Sequence, residues 1–352
     1  MNHGGNDSRV AEGEAHHAGR SDWIPRPHHA ASIGDLALES GESIADCRLA
    51  WVEHGRRDPA AGNTILVLCA IGSTHHRLDF LIGEGLGLDP GRFHIVAIDA
   101  LGNGLSSSPS NSVAQPGSAF PAITIRDMVE SQRRLLDMLG IPSLHAVVGA
   151  SMGGMQALQW AVSHPARVER VVAMTAMAAT GRWSQLANEL SRRAMFEDAE
   201  CRRPRARREA MRLWTPLTQL VIATTPESVG RFGSREAMIA FIEAEEARLE
   251  AEGPDPFDWL CQTRAYDAHD IGATPGHGGD VEAALKSIRA ETLLLAPPLD
   301  LYNPAHGSHA ASAAIPRASL VEIPSARGHR SASAGTEAEN AFLNRTIRAF
   351  LG

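Results

Sequence analysis

Apolar residues along this chain fall into two alternating patterns. Ile65 to Cys69 and His94 to Asp99 are short, nearly continuous apolar runs, as expected of strands buried on both faces of a parallel sheet. Thr124 to Leu139 instead places Met128, Leu135, Leu136 and Leu139 on one stripe of a helix. Thr124 and Asp127 stand at capping-box spacing, with Asp in place of Glu, and Gly140 and Pro142 close the helix. A strand from His145 to Val148, a helix from Gly154 to about Ser163 and a strand from Val168 to Thr175 follow. Further strands are expected at Thr292 to Ala296 and Ser319 to Ile323, and a last helix from Glu337 to Phe350. Strand and helix in alternation imply a parallel sheet with crossovers. Leu36 to Ser40 and Cys47 to Glu53 read as an opening antiparallel pair around the turn at Ser40, Gly41 and Glu42.

Between Met177 and Ile288 the strand pattern lapses. The segment is rich in Arg and Glu, with helical stretches such as Leu186 to Phe196, Arg205 to Leu213 and Arg235 to Glu252. It reads as a helical lid inserted into the α/β core, so the core divides into residues 33–176 and 289–352. Residues 1–32 have no periodicity and read as a disordered tail. His16, His17, His28 and His29 in that tail are residues of a metal-binding type, but a low-complexity tail accounts for them.

Composition narrows the function. With 41 acidic residues against 33 basic ones the net charge is −8, which argues against a general nucleic-acid binder. Absence of a long apolar run argues against a membrane span, and no basic-then-apolar leader is visible. The cysteines Cys47, Cys69, Cys201 and Cys261 are scattered without a CxxC pair, which suits reduced thiols in a cytoplasmic protein.

The chemistry is concentrated in Val147-Val148-Gly149-Ala150-Ser151-Met152-Gly153-Gly154. A strand, a turn of small residues with one serine, then a helix is the Gly-x-Ser-x-Gly nucleophile elbow of an α/β-hydrolase. Gly149 and Gly153 are required where strand and helix backbones approach too closely for a Cβ. A serine hydroxyl needs a base, and this fold supplies an acid and then a histidine after later strands. Asp300 follows the strand Thr292 to Ala296, and His329 lies six residues after Ile323. His306 and His309 are rivals for the base, or an i, i+3 metal pair without a third ligand. Oxyanion donors are expected at the backbone N–H of Met152 and of Ile71 in the loop Ala70-Ile71-Gly72-Ser73. Gly102-Asn103-Gly104 lacks the third glycine and following helix of a dinucleotide loop and reads as a rim of the site. No metal or redox cofactor is implied.

These segments resemble the homoserine O-acetyltransferase family of α/β-hydrolases from about Leu36 to Leu351. The resemblance is carried by Ala70-Ile71-Gly72-Ser73, by Leu101 to Ser110, by Val148 to Leu158, by Asn188 to Ala194, and by Asp300 with Gly328-His329. It implies an acetyl group passing from acetyl-CoA to Ser151 and on to the homoserine hydroxyl. His329 would be the base, Asp300 its orienter, and Arg192 the residue that holds the acceptor carboxylate, for which a guanidinium fork is suited. It also suggests a homodimer through the lid. Two departures stand out. Arg330 follows His329 where the family usually has an acid near the acceptor amine, and Cys201 to Leu213 carries six arginines in place of the family's pattern. The expected main activity is therefore hydrolysis of a small acyl ester or thioester through acyl-Ser151. The alternative is O-acetyl transfer from acetyl-CoA to homoserine or another hydroxylated, carboxylate-bearing acceptor. A third reading is a binding member of the fold without catalysis.

Overall fold

A computed structural model describes residues 23–352. Its strands are β1 (His29–Ser32), β2 (Leu36–Ala37), β3 (Ser43–Ile44), β4 (Arg48–His54), β5 (Thr64–Leu68), β6 (His94–Ile98), β7 (Leu144–Ala150), β8 (Val168–Met174), β9 (Glu291–Ala296) and β10 (Ala318–Glu322). Eight of them form one sheet in the order β1-β4-β6-β5-β7-β8-β9-β10. Strands β6 to β10 and β5 pair parallel, while β1 and β4 are antiparallel additions at one edge. Every residue of β5 and β6 is buried, which is why those runs carry no polar alternation.

The sheet is covered by α1 (Ile125–Met138) and α2 (Met152–Ser163) among others. The Thr124–Asp127 capping box forms as expected. Between β8 and β9 come only helices: α3 (Arg182–Met195), α4 (Arg207–Thr215), α5 (Pro226–Gly230), α6 (Arg235–Glu252), α7 (Pro256–Asp267) and α8 (Val281–Ser287). A π-helical turn, Pro216–Ile222, continues α4. The chain ends through α9 (His306–Ala314) and α10 (Glu337–Leu351). The helical insert has its own apolar cluster, with Met195, Phe196, Met211, Trp214 and Trp259 buried together and Ile71 packed against it from the core.

Two expectations need correction. The tail does not extend to residue 32: His29–Ser32 is an edge strand, paired from His29 opposite Trp51 to Ser32 opposite Arg48. His16 and His17 lie outside the described residues. The opening pair also differs, because Leu36–Ala37 pairs with Ser43–Ile44 in a small hairpin and β4 joins the main sheet beside β1 and β6. A short, partly polar strand at an edge needs little apolar pattern, so periodicity could not reveal it.

Among the described residues no helix is long and apolar enough to cross a membrane.

Candidate active site

Ser151 stands between β7 and α2 with φ 57° and ψ −123°, a region that L-residues occupy only where surrounding contacts impose it. Those contacts are specific. A Cβ on Gly149 would lie 2.2 Å from the Gly153 carbonyl, and one on Gly153 would lie 2.3 Å from the Leu68 carbonyl oxygen. Strand β7, helix α2 and strand β5 therefore meet backbone to backbone, and the serine is held at the carboxyl edge of the sheet.

The structure brings the three expected side chains together. His329 Nε2 is 2.8 Å from Ser151 Oγ, and His329 Nδ1 is 2.8 Å from Asp300 Oδ2. Asp300 Oδ1 accepts the backbone N–H groups of Tyr302 and Asn303, each at 2.8 Å. One carboxylate oxygen is thus fixed by the loop and the other is left for the imidazole. All three residues are buried, Ser151 to 1% exposure. A hydroxyl bonded to an imidazole that is oriented by a buried carboxylate is the arrangement that activates serine for attack on an acyl carbonyl.

Met152 opens α2, so its N–H lies at the positive end of a helix. Ile71 follows β5. Among the described residues neither backbone N–H has a hydrogen-bond acceptor. The loop carrying Ile71 is held by Gln262 on α7, whose side-chain oxygen accepts Gly72 N–H at 2.8 Å while its nitrogen donates to the Leu101 carbonyl at 3.1 Å. Gln262 thereby ties the insert to both loops at the rim.

Arg192 sits on α3, and its partners differ from expectation. Nη1 is 2.7 Å from Asp267 and Nη2 is 3.1 Å from Glu189. Two carboxylates already occupy the fork that was expected to hold a substrate carboxylate. Asn188 donates to Asp267 at 2.7 Å and accepts from the Tyr302 hydroxyl. The Tyr302 ring packs edge-on against His329 with centroids 4.9 Å apart. Arg192 therefore reaches the triad through a polar chain.

Several residues near the triad were not anticipated. The Tyr266 hydroxyl donates to Asn303 Oδ1 at 2.6 Å, and Asn303 Nδ2 donates to the Thr175 carbonyl at 2.7 Å. Tyr266 stacks on Tyr302, and burial raises the pKa of both phenols, so both stay neutral. Asp258 on α7 accepts from Ser110 N–H and from its hydroxyl at 2.9 and 2.6 Å, and burial pushes its carboxyl up to about 6. Their partners lie 37 and 148 residues away, so no local motif marks them.

The rival histidines His306 and His309 are on α9 and make no contact with the triad. His28 and His75 meet instead at Asp99, at 3.1 and 2.9 Å from the same oxygen. The three have metal-triad spacing. Hydrogen bonding accounts for it: the other Asp99 oxygen accepts from His75 N–H and Asn103, and although burial pushes the carboxyl up, the bonds from His28 and His75 win and hold it at about 2. Gly102-Asn103-Gly104 packs against Cys261, Gln262 and Asp258 of α7, and Asn103 donates to the Ser73 carbonyl and to Asp99. Two surface hollows, one lined by Glu39, Arg126 and His164 and one by Pro324, Glu339 and Phe342, contain none of the triad.

Comparison with known proteins identifies the fold and the family. Residues 64–327 match the alpha/beta hydrolase fold family. A homoserine O-succinyltransferase from Pseudomonas putida is 31% identical over 84% of this chain and 88% of its own. A homoserine O-acetyltransferase from Zymomonas mobilis subsp. mobilis is 30% identical over 92% and 96%. Among solved structures, an acetylester hydrolase from Corynebacterium glutamicum superposes with a TM-score of 0.83 at 27% identity, covering 92% of this chain and 96% of that one. The chain is an enzyme of the α/β-hydrolase fold family, and within it belongs with the homoserine O-acyltransferases.

Proposed function

We propose that this enzyme transfers a short acyl group from a thioester or ester donor, acetyl-CoA being the first to test, through an acyl-Ser151 intermediate to a small hydroxylated acceptor. His329 takes the serine proton during attack and returns it to the leaving group, then repeats the cycle with the acceptor hydroxyl. Asp300 holds the imidazole in the tautomer that has Nε2 free to accept. The N–H groups of Ile71 and Met152 receive the developing oxyanion.

The observation that carries transfer over hydrolysis is the 1% exposure of Ser151 beneath the helical insert, which we take to act as a lid. A covered acyl-enzyme keeps water away until an acceptor arrives. The relatives named as homoserine acyltransferases support the same reading. The outward face of α3 also exposes Trp183, Leu186 and Leu190, a stripe suited to pairing of two copies through the lid. Four unpaired, buried cysteines suit a cytoplasmic setting.

A second reading, hydrolysis of small acyl esters, is favoured by the closure of Arg192 on Asp267 and Glu189 and by the presence of Arg330 beside His329. Both disfavour homoserine bound through Arg192 with its ammonium toward residue 330. The likeness to an acetylester hydrolase points the same way.

The test is thiol release from acetyl-CoA, with and without homoserine or another hydroxy acid, with Ser151→Ala as the blank. Release that requires the hydroxylated acceptor supports transfer. Acceptor-independent release supports hydrolysis. No release with any donor, or full turnover by Ser151→Ala, overturns the acyl-serine reading.

A further inference from the structure

The three side chains of the site are held by different parts of the fold. Ser151 is fixed by the close backbone approach of β7, α2 and β5, and its own N–H donates to the Met174 carbonyl of β8 at 2.9 Å. Asp300 and His329 stand on loops that leave the sheet, and those loops are held largely by the helical insert.

Residues 300–303 show this most clearly. Ser184 on α3 donates its hydroxyl to the Tyr302 carbonyl at 2.6 Å, and the neighbouring Trp183 indole N–H donates to the Leu301 carbonyl. The Tyr302 hydroxyl returns to Asn188 on the same helix. From α7, Tyr266 donates to Asn303 Oδ1 at 2.6 Å. The tie in the other direction runs from Asn303 Nδ2 to the Thr175 carbonyl, just after β8, at 2.7 Å. That bond fixes which way the amide faces, so Oδ1 must meet Tyr266. Asn303 is thus clamped between sheet and insert, and its backbone N–H is one of the two that hold Asp300 Oδ1.

The loop of His329 is gripped on both sides of the histidine. Thr225, the N-cap of α5, donates its hydroxyl to the Ala326 carbonyl at 2.5 Å, and Ser228 adds a second bond to the same oxygen at 3.0 Å. On the far side, the Arg330 N–H donates to the Ala223 carbonyl at 3.1 Å. Between them, at the start of the 3-10 segment Gly328–Ala332, Gly328 has φ 60°. A Cβ there would stand 2.9 Å from both the Leu299 carbonyl oxygen and Thr225 Cγ2. The insert therefore presses directly on the residue before the imidazole. Tyr266 and Thr225 are both buried. Losing the Tyr266 hydroxyl leaves Asn303 Oδ1 without a donor. Losing that of Thr225 removes the shorter bond to Ala326 and the cap that holds Ser228.

We propose that Tyr266 and Thr225 are positioning residues of the reaction, through which the insert aligns Asp300 and His329 with a serine that the sheet holds. This rests on the acyl-serine reading above and adds to it that the insert is a working part of the site as well as its cover. The 2.8 Å between Ser151 and His329 is then set by how the insert seats on the sheet, and a shift of the insert carries the acid and the base away from the serine together.

Tyr266→Phe and Thr225→Val each delete one hydroxyl and keep the shape of the side chain. In the nitrophenol burst from 4-nitrophenyl acetate, each should lower the acylation rate by about tenfold to a hundredfold, as expected for a catalytic group displaced by up to an ångström, with little change in KM. Thr225→Ser keeps the hydroxyl and should restore most of the rate. In an Asp300→Asn background the same two deletions should cost at most about twofold, since they act through the Asp300–His329 pair. Ser151→Ala supplies a readout without turnover. The His329 Nδ1–H bonded to Asp300 gives a low-field proton resonance, which adding Tyr266→Phe or Thr225→Val should broaden or move upfield. An acylation rate within about twofold of the parent's, whatever the thermal stability, would overturn the positioning role. So would equal losses with and without Asp300, or no rescue by Thr225→Ser. Full turnover by Ser151→Ala would instead overturn the acyl-serine reading, and the resonance would still decide the alignment.

Discussion

Asp300→Asn is the sharpest perturbation of this site, because the structure dictates how the new amide must sit. Asp300 Oδ1 receives two backbone N–H groups while Oδ2 faces His329 Nδ1. The asparagine oxygen must take the place of Oδ1, since turning the amide round would confront two buried N–H donors with an NH2. Leaving each of those donors without an acceptor costs about 1–3 kcal/mol, so the wrong orientation lies roughly 2–6 kcal/mol higher. In the favoured orientation the NH2 faces Nδ1, which must then accept, and the ring proton moves to Nε2. His329 then donates to Ser151 and has no lone pair to take the serine proton. Activity survives only in the minor orientation, so the acylation rate should fall by between about 30-fold and a few times 10⁴-fold at about 1.36 kcal/mol per decade. The assay is the pre-steady-state burst of nitrophenol from 4-nitrophenyl acetate. Thermal unfolding should move little, because every backbone donor remains satisfied. A loss smaller than about threefold, or one fully explained by unfolding, would refute the assignment of Asp300 as the orienter.

Three further outcomes follow from the same contacts. Gln262→Leu frees the Gly72 N–H and the loop that carries Ile71, so the acylation rate should drop by about tenfold to a hundredfold through misplacement of the oxyanion donor, read as a fall in kcat at little change in KM. Arg192→Ala should appear as lost stability of about 3–5 kcal/mol, because Asp267 is left as an unpaired, largely buried charge, and denaturant unfolding should register it; a raised acceptor KM at full stability would show that Arg192 binds substrate after all. Asp258 is held at about 6 by burial against an unfolded value near 3.8, so the native state binds the extra proton between these pH values and stability falls as pH rises through that window. Asp258→Asn should abolish this slope, matching the parent near pH 4 and exceeding it at pH 7 by at most about 3 kcal/mol.

The parts of the site that sequence reading could locate are those tied to strand order. Ser151, Asp300 and His329 each follow a recognisable apolar strand, and the fold fixes their sequence of appearance, so their meeting required no knowledge of tertiary contacts. The Gly149–Gly153 spacing was legible for a similar reason, since the absence of a Cβ is written in the chain. Arg192 shows the limit. The family resemblance implied that it holds a substrate carboxylate, but the carboxylate it meets is Asp267, 75 residues away in the same insert. Charge alone does not say whether a cation is spent inside the protein. Tyr266, Asn303 and Gln262 were invisible because each acts only through long-range hydrogen bonds, and β1 because an edge strand of four residues carries too short a pattern to distinguish it from a tail.

The distribution of arginines explains how one fold can keep its nucleophile while changing what it accepts. The triad is wired to the sheet through loop backbone: Tyr302 and Asn303 N–H to Asp300, and the elbow glycines to β5. None of those contacts involves the charged residues around the site, which sit on the helical insert or on 3-10 segments at the rim. Arg192 is neutralised by Asp267 and Glu189 and feeds order to His329 through Asn188 and Tyr302. Arg330 donates to Gln219, while Arg327 pairs with Glu339 and Arg248 with Glu245. A substitution at the rim can therefore invert the local charge without disturbing the hydrogen bonds that activate Ser151. The electrostatic surroundings of the site can then vary independently of the chemistry performed there.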